Sequence, residues 1–242
     1  MNSDLKRLNV AASTDRGKRR SRNEDSIVVG QWYSSATDFI FQAPTIPLNK
    51  PIILAVADGI GGHKAGDIAS QLVTQRLSRT TWTASYRQEL NDALATLQQQ
   101  LQQLGNDRPA LKGMGTTIAG GIVHGSSLYH FNVGDSRVYL ISGREVAQLS
   151  TDDCLPNSHV ITQALGGSNP KQKDLNLHAG EVPCRWGDTM LICSDGLSNL
   201  VRDDELPDLC RKSVQEAGSS LMSLALERGG HDNISVVVAR FG

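Results

Sequence analysis

A chain of 242 residues, 39% hydrophobic and 20% charged, can bury a large core and is long enough for one large domain or two small ones. Its 24 basic and 25 acidic residues leave a formal net charge of −1, which excludes a global nucleic-acid footprint and a polybasic membrane surface. Met1 to Val10 carries Asp4, Lys6 and Arg7 and no apolar signal core, and no run approaches the about 18 apolar residues of a membrane span. Cys154, Cys184, Cys193 and Cys210 contain no C-x-x-C pair, so reduced thiols in a cytoplasmic protein are expected.

Asp25 to Tyr33 is rich in β-branched and aromatic residues and predicts a strand. Pro44 and Pro47 predict an irregular connection over 34–50. Pro51 to Ala57 is a continuous apolar run ending at Asp58-Gly59, the pattern of a buried strand. Helical spacing follows in Lys64 to Trp82, with Ile68, Leu72, Val73 and Leu77, and in Ser85 to Leu104, with Leu90, Leu94, Leu97 and Leu101 on one core-facing stripe. Thr116 to His124, Ser127 to Val133 and Arg137 to Ile141 then predict strands, with turns at Gly125-Ser126 and Ser142-Gly143. Thr189 to Cys193 and Ile234 to Phe241 complete the strands, and Ser213 to Arg228 predicts a helix between them. This segregated order, without repeat or linker, argues for an α+β fold of antiparallel sheets with helices packed outside.

The acidic residues fall at strand ends. Asp58 closes one apolar strand, Asp195 follows another, Asp232 precedes the last, and Asp135 lies just past Phe131-Asn132-Val133. Any one of these is an ordinary turn residue or cap. If the ends converge, their mutual repulsion calls for cations, and all-oxygen ligands select hard ions such as Mg²⁺ or Mn²⁺. Arg16, Lys18, Arg19, Arg20 and Arg22 crowd into the stretch before Glu24-Asp25. An arginine fork suits bidentate phosphate recognition, although a solvated basic loop has the same composition.

Seven motifs stand in order along nearly the whole chain. They are D-x-G-x-x-R-x-x-N-E-D at Asp15 to Asp25, VADGIGGHKAGDIAS at Val56 to Ser70, GMGTT at Gly113 to Thr117 and NVGDSRVYL at Asn132 to Leu140, followed by ITQALGG at Ile161 to Gly167, CSDGL at Cys193 to Leu197 and GGHDNIS at Gly229 to Ser235. On these residues the chain resembles the bacterial branch of the PP2C (PPM) metal-dependent serine/threonine protein phosphatases. The resemblance implies one domain over 1–242, a four-layer α/β/β/α sandwich of two antiparallel sheets with flanking helices. It implies two Mn²⁺ or Mg²⁺ ions, with Asp58 bridging both, the Gly59 carbonyl on one, and Asp195 and Asp232 completing the other's shell. Glu24 and Asp25 would form a second shell, and Arg20 would bind the substrate phosphate and serve catalysis. The implied reaction is hydrolysis of phosphoserine or phosphothreonine by a metal-activated water, opposing a bacterial serine/threonine kinase. Partners would be phosphoproteins and that kinase, with no nucleic acid and no membrane, and the protein acting as a monomer.

The chain departs from the pattern in three places. Cys154 to Val160 is shorter than the family's usual flap beside the active site. The family's third metal is read as needing an aspartate before GMGTT, where Asp107 is the nearest acid, so a third ion stays open. Ile60 stands where a methionine is usual. For the general acid, His63 in the second motif is the histidine considered. Cys-x5-Arg, a P-loop and a zinc motif are all missing, which disfavours cysteine phosphatase, P-loop NTPase and zinc hydrolase chemistry. The remaining alternatives are a pseudophosphatase, suggested by the short flap, and a metal-dependent nuclease using the basic run.

Overall fold

The computed structural model describes residues 7–34, 39–60, 65–155, 158, 160–167 and 175–242, and of 39–44 the backbone alone. The first half runs β1 (Arg7–Asp15), β2 (Asp25–Val29), β3 (Trp32–Tyr33), β4 (Phe39–Pro47), β5 (Ile52–Ile60), α1 (Ala65–Arg79) and α2 (Tyr86–Asp107). Next come β6 (Gly115–Thr116), β7 (Ile118–His124), β8 (Ser127–Val133), β9 (Arg137–Ser142), β10 (Glu145–Gln148), β11 (Leu165–Gly166) and β12 (His178–Pro183). The chain ends with β13 (Thr189–Cys193), α3 (Asp195–Ser198), α4 (Leu206–Leu209), α5 (Val214–Glu227) and β14 (Ile234–Phe241).

The strands form two antiparallel sheets. One is ordered β10-β9-β13-β14-β1-β4, the other β11-β6-β5-β7-β8-β12, with β2 alongside β5 and β3 on β2. Period-two alternation decides what each face meets. Leu54 and Val56 point into the core between the sheets with Ile27, Val29, Val237 and Ala239. Their neighbours Ile53, Ala55 and Ala57 point outward and pack under Ala69, Val73 and Leu77 of α1 and Leu90, Leu94, Leu97 and Leu101 of α2. Val236 and Val238 face outward on the other sheet, beneath Val214, Ala217, Leu221 and Ala225 of α5. The continuous apolar runs of β5 and β14 thus reflect burial on both faces, and the layers are α/β/β/α as expected.

Several boundaries differ from the sequence reading. The single strand expected over Asp25 to Tyr33 is a hairpin, broken where Gly30 adopts φ 59°. The connection expected over 34–50 contains β4, paired to β1 at the sheet edge with a register shift between Leu8 and Val10. An edge strand with a bulge tolerates the missing N–H groups of Pro44 and Pro47. β1 itself was not anticipated, because Ala11-Ala12-Ser13 carries little strand propensity. α5 starts as predicted: Ser213 caps it, and its hydroxyl accepts from the Glu216 N–H while the Glu216 carboxylate returns the bond. Ile68, read as part of the α1 core stripe, is 39% exposed. Lys64, the expected start of that helix, lies outside the described residues.

Candidate metal centre

The strand ends carrying the acidic residues do converge. In the β2–β5 ladder Asp25 stands directly opposite Asp58. Asp58 is fixed through its main chain: its N–H donates to Thr117 Oγ1 at 3.1 Å, and its carbonyl accepts from the Thr117 N–H at 2.8 Å and Thr116 Oγ1 at 2.9 Å. The residue keeps some surface open to solvent, yet its carboxyl lies deep among protein atoms. Burial, and then the charges of Asp25, Asp195, Asp232 and Asp135, raise that carboxyl well above the ordinary range. Those four charges come from β2, the start of α3, the turn before β14 and the turn after β8.

Asp25 is 1% exposed. Its Oδ2 accepts from Ser194 Oγ at 2.9 Å and Ser235 Oγ at 2.6 Å. Its Oδ1 is buried with no hydrogen-bond partner among the described residues, and burial pushes the carboxyl up to about 7 against the pull of both serines. Asp135 behaves alike: its Oδ1 is buried without a partner among the described residues, and burial followed by the Asp195 charge raises it to about 7. Asp195 opens α3, where Oδ2 accepts from Asn199 Nδ2 at 3.1 Å. Asp232 accepts the Asn233 N–H on Oδ1 at 2.8 Å and an Arg20 Nη2–H on Oδ2 at 2.6 Å.

Gly59 follows Asp58, but the structure gives it a reason beyond an accessible carbonyl. A Cβ there would run into the Gly66 carbonyl and stand 2.6 Å from the Glu24 carbonyl oxygen. Three backbone segments therefore cross at this point, and only glycine lets α1 sit against the β5 end. Glu24 is held by its main chain, its N–H donating to Asn233 Oδ1 at 2.8 Å and its carbonyl accepting from Ser70 Oγ at 2.6 Å. Burial and the nearby Asp67 raise its carboxyl.

Two residues outside the predicted ligand set stand beside these carboxylates. Asn233 ties the arginine-bearing loop down: besides accepting from Glu24, its Nδ2 donates to the carbonyls of Arg16 at 2.9 Å and Arg22 at 2.8 Å. Asp135 joins the cluster, whereas Asp107 ends α2 in an exposed position. The signal for Asp135 was its strand-end position; Asn233 stood beside Asp232 in the same motif but carried none of its own. His63 lies outside the described residues, as do positions 156, 157 and 159 of the short flap segment.

Among the described residues, no three acidic, histidine or cysteine side chains already close into a coordination sphere. Asp232 Oδ2 is held by Arg20 in an ion pair at 2.6 Å. The donor set still fits divalent cations: it is all oxygen, its charges converge, and Asp25 Oδ1 and Asp135 Oδ1 are buried with no hydrogen-bond partner among the described residues.

Two helix-covered antiparallel sheets, with buried carboxylates and an arginine gathered where their strands end, have the layout of a metal-dependent phosphatase. The Protein phosphatase 2C family model matches residues 43–228, and the chain belongs to that family. The serine/threonine phosphatase stp of Listeria welshimeri is 31% identical over 93% of this chain and 92% of its own length. PppA of Pseudomonas aeruginosa, described as a key regulatory component of T6SS, superposes with a TM-score of 0.83 at 28% identity over 99% of this chain and 100% of that one. The catalytic domain of the serine/threonine protein phosphatase PstP, solved with two manganese ions, superposes with a TM-score of 0.80 at 32% identity over 97% and 98%. The Mycobacterium tuberculosis protein of that name extends further, so that this chain spans 45% of it. No helix among the described residues is long and apolar enough to cross a membrane.

Proposed function

We propose that the chain is one domain over 1–242 that hydrolyses phosphoserine and phosphothreonine in proteins, using two Mn²⁺ or Mg²⁺ ions held by Asp58, the Gly59 carbonyl, Asp195 and Asp232. The observation that carries this reading is the convergence of four carboxylate charges on Asp58, beside an arginine anchored to Asp232. When bound, such ions supply an activated water and the positive charge that phosphoryl transfer needs. Asp58 would be the central ligand, since the charges of Asp25, Asp195, Asp232 and Asp135 all act on it.

The remaining tasks fall to the chain's own groups. Arg20 spends one N–H on Asp232 and keeps other donors of its planar fork for the substrate phosphate. Asp25, pinned on one oxygen by Ser194 and Ser235, has its other oxygen buried without a partner among the described residues and would orient water at the ions. Glu24, held through Asn233 and Ser70, serves the same purpose from the rim. Asp135, with Asp195, is the residue we assign to a third ion, in place of Asp107.

A phosphoserine or phosphothreonine has to be made by a kinase of matching specificity, so a serine/threonine kinase is the opposing partner class. One chain supplies every residue of the site, which suits a monomer, and four free cysteines suit the reducing cytoplasm. The test is hydrolysis of p-nitrophenyl phosphate with Mn²⁺. Turnover that depends on Mn²⁺ and is lost in Asp58→Ala and Asp195→Ala supports the enzyme. Retained phosphoprotein binding without turnover would sink it in favour of a pseudophosphatase.

A further inference from the structure

The loop over 16–22 has more positive charge than phosphate binding by Arg20 uses. Arg16, Lys18, Arg19, Arg20 and Arg22 are all exposed, in a protein whose net charge is −1. The loop is not a floppy tail. The Lys18 N–H donates to the Gly230 carbonyl at 2.7 Å, the Gly17 N–H to Asp15 Oδ1 at 2.6 Å, and Asn233 binds the Arg16 and Arg22 carbonyls. Gly17 adopts φ +76°, and a side chain there would collide with the Asp232 carbonyl, so the loop lies pressed against the strand that delivers Asp232.

The cations on this fixed backbone are not equivalent. Arg20 is bound to Asp232, and Arg22 faces Asp67 at 3.8 Å. Lys18 and Arg19 make no ion pair among the described residues, and they sit one and two positions from Arg20. We propose that Lys18 and Arg19 form a subsite for acidic residues flanking the phosphorylated side chain, so that the preferred substrates are phosphopeptides with carboxylates or further phosphates within about three residues of the target. An extended peptide advances about 3.3 Å per residue, so an acid one or two positions from the target lies about 3–7 Å along the chain from it, the same sequence offset that separates Arg19 and Lys18 from Arg20. A long polyanion such as DNA would also have to run past Glu24 and Asp67, which lie beside Arg20 and Arg22.

This inference rests on the phosphatase reading, and the experiment separates the two. The full chain with Mn²⁺ is assayed on p-nitrophenyl phosphate and on phosphothreonine peptides with acidic, neutral or basic flanks, alongside the variant Lys18→Gln/Arg19→Gln. The expected result is kcat/KM about tenfold higher for acidic than for basic flanks at low salt, shrinking toward onefold near 1 M salt, where the screening length falls to about 3 Å. The double variant should abolish the preference and leave p-nitrophenyl phosphate turnover and thermal stability unchanged. Normal p-nitrophenyl phosphate turnover with no flank preference, or with a preference that survives in the double variant, overturns the subsite alone. Loss of all Mn²⁺-dependent turnover in the wild-type chain overturns the phosphatase reading and the subsite with it. Double-stranded DNA binding that competes with the peptides and vanishes in the double variant would assign the loop to nucleic acid and overturn the proposal.

Discussion

The two rims of the carboxylate cluster are built on opposite principles. The 15–24 rim is sewn to residues more than two hundred positions away, through Asn233, Gly230 and Asp232. In the 154–161 rim the backbone bonds among the described residues run within the segment: Cys154 pairs with Ile161 in an isolated antiparallel β-bridge, the Leu155 N–H donates to the Val160 carbonyl at 3.0 Å, and Leu155 and Val160 are 48% and 58% exposed. On the proposed reading the first rim holds the phosphate-binding Arg20, so changes there should act on chemistry. In the second, the described side chains of Leu155 and Val160 lie exposed, so changes there should act on access.

The largest break in that contrast comes from the cluster beneath both rims. Asp58→Ala should lower Mn²⁺-dependent turnover by about a thousandfold or more, because ion-derived charge stabilisation is worth several kcal/mol. Manganese content measured on the purified variant should fall in parallel. Arg20→Ala should cost about a hundredfold in kcat/KM, and Arg20→Lys should recover little of it, since an ammonium cannot reproduce the fork.

Asn233→Ala sharpens the contrast from the stitched side. Three hydrogen bonds vanish, and the expected cost is about 2–4 kcal/mol in chemical denaturation, with KM for p-nitrophenyl phosphate rising as the Arg20 loop loosens. On the self-closed side, Leu155→Ser with Val160→Ser should change stability by no more than about 0.5 kcal/mol and leave p-nitrophenyl phosphate turnover intact. A large loss of that turnover would show that the two rims do not divide the work as described.

The pH response follows from Asp25 and Asp135, both raised to about 7 by burial. For a carboxyl raised on folding, the favourable contribution is complete below the unfolded value, near 4, and is lost as pH rises through the folded value. In EDTA the melting temperature should therefore fall between pH 5 and pH 8, and Asp25→Asn should flatten that fall. Added Mn²⁺ should raise the melting temperature more at pH 8 than at pH 5, because ionised carboxylates bind it.

Much of this was legible in the sequence, and the remainder was hidden for physical reasons. The apolar runs Pro51 to Ala57 and Ile234 to Phe241 announced strands, and the stripe of α2 announced its core side. That Asp58, Asp195 and Asp232 would share one place could not be read from their separations; it came from the order of the motifs around them. Asn233 escaped because its partners are backbone groups, which leave no trace in residue identity. β4 escaped because its two prolines look like breakers until the strand is placed at an edge.

The position of β14 has a consequence for when the enzyme comes into being. This last strand slots between β13 and β1, bringing Asp232 to Arg20 across 212 residues of chain. A chain emerging from the ribosome carries Arg20 and Asp58 early, yet its loop has nothing to fasten to until residues 229–233 have been made. Contacts of such long sequence separation also form late and slowly in folding. The order of synthesis therefore delays the site: a chain made only through α3 carries Asp58 and Asp195, but neither Asp232 nor the anchors that fasten the Arg20 loop.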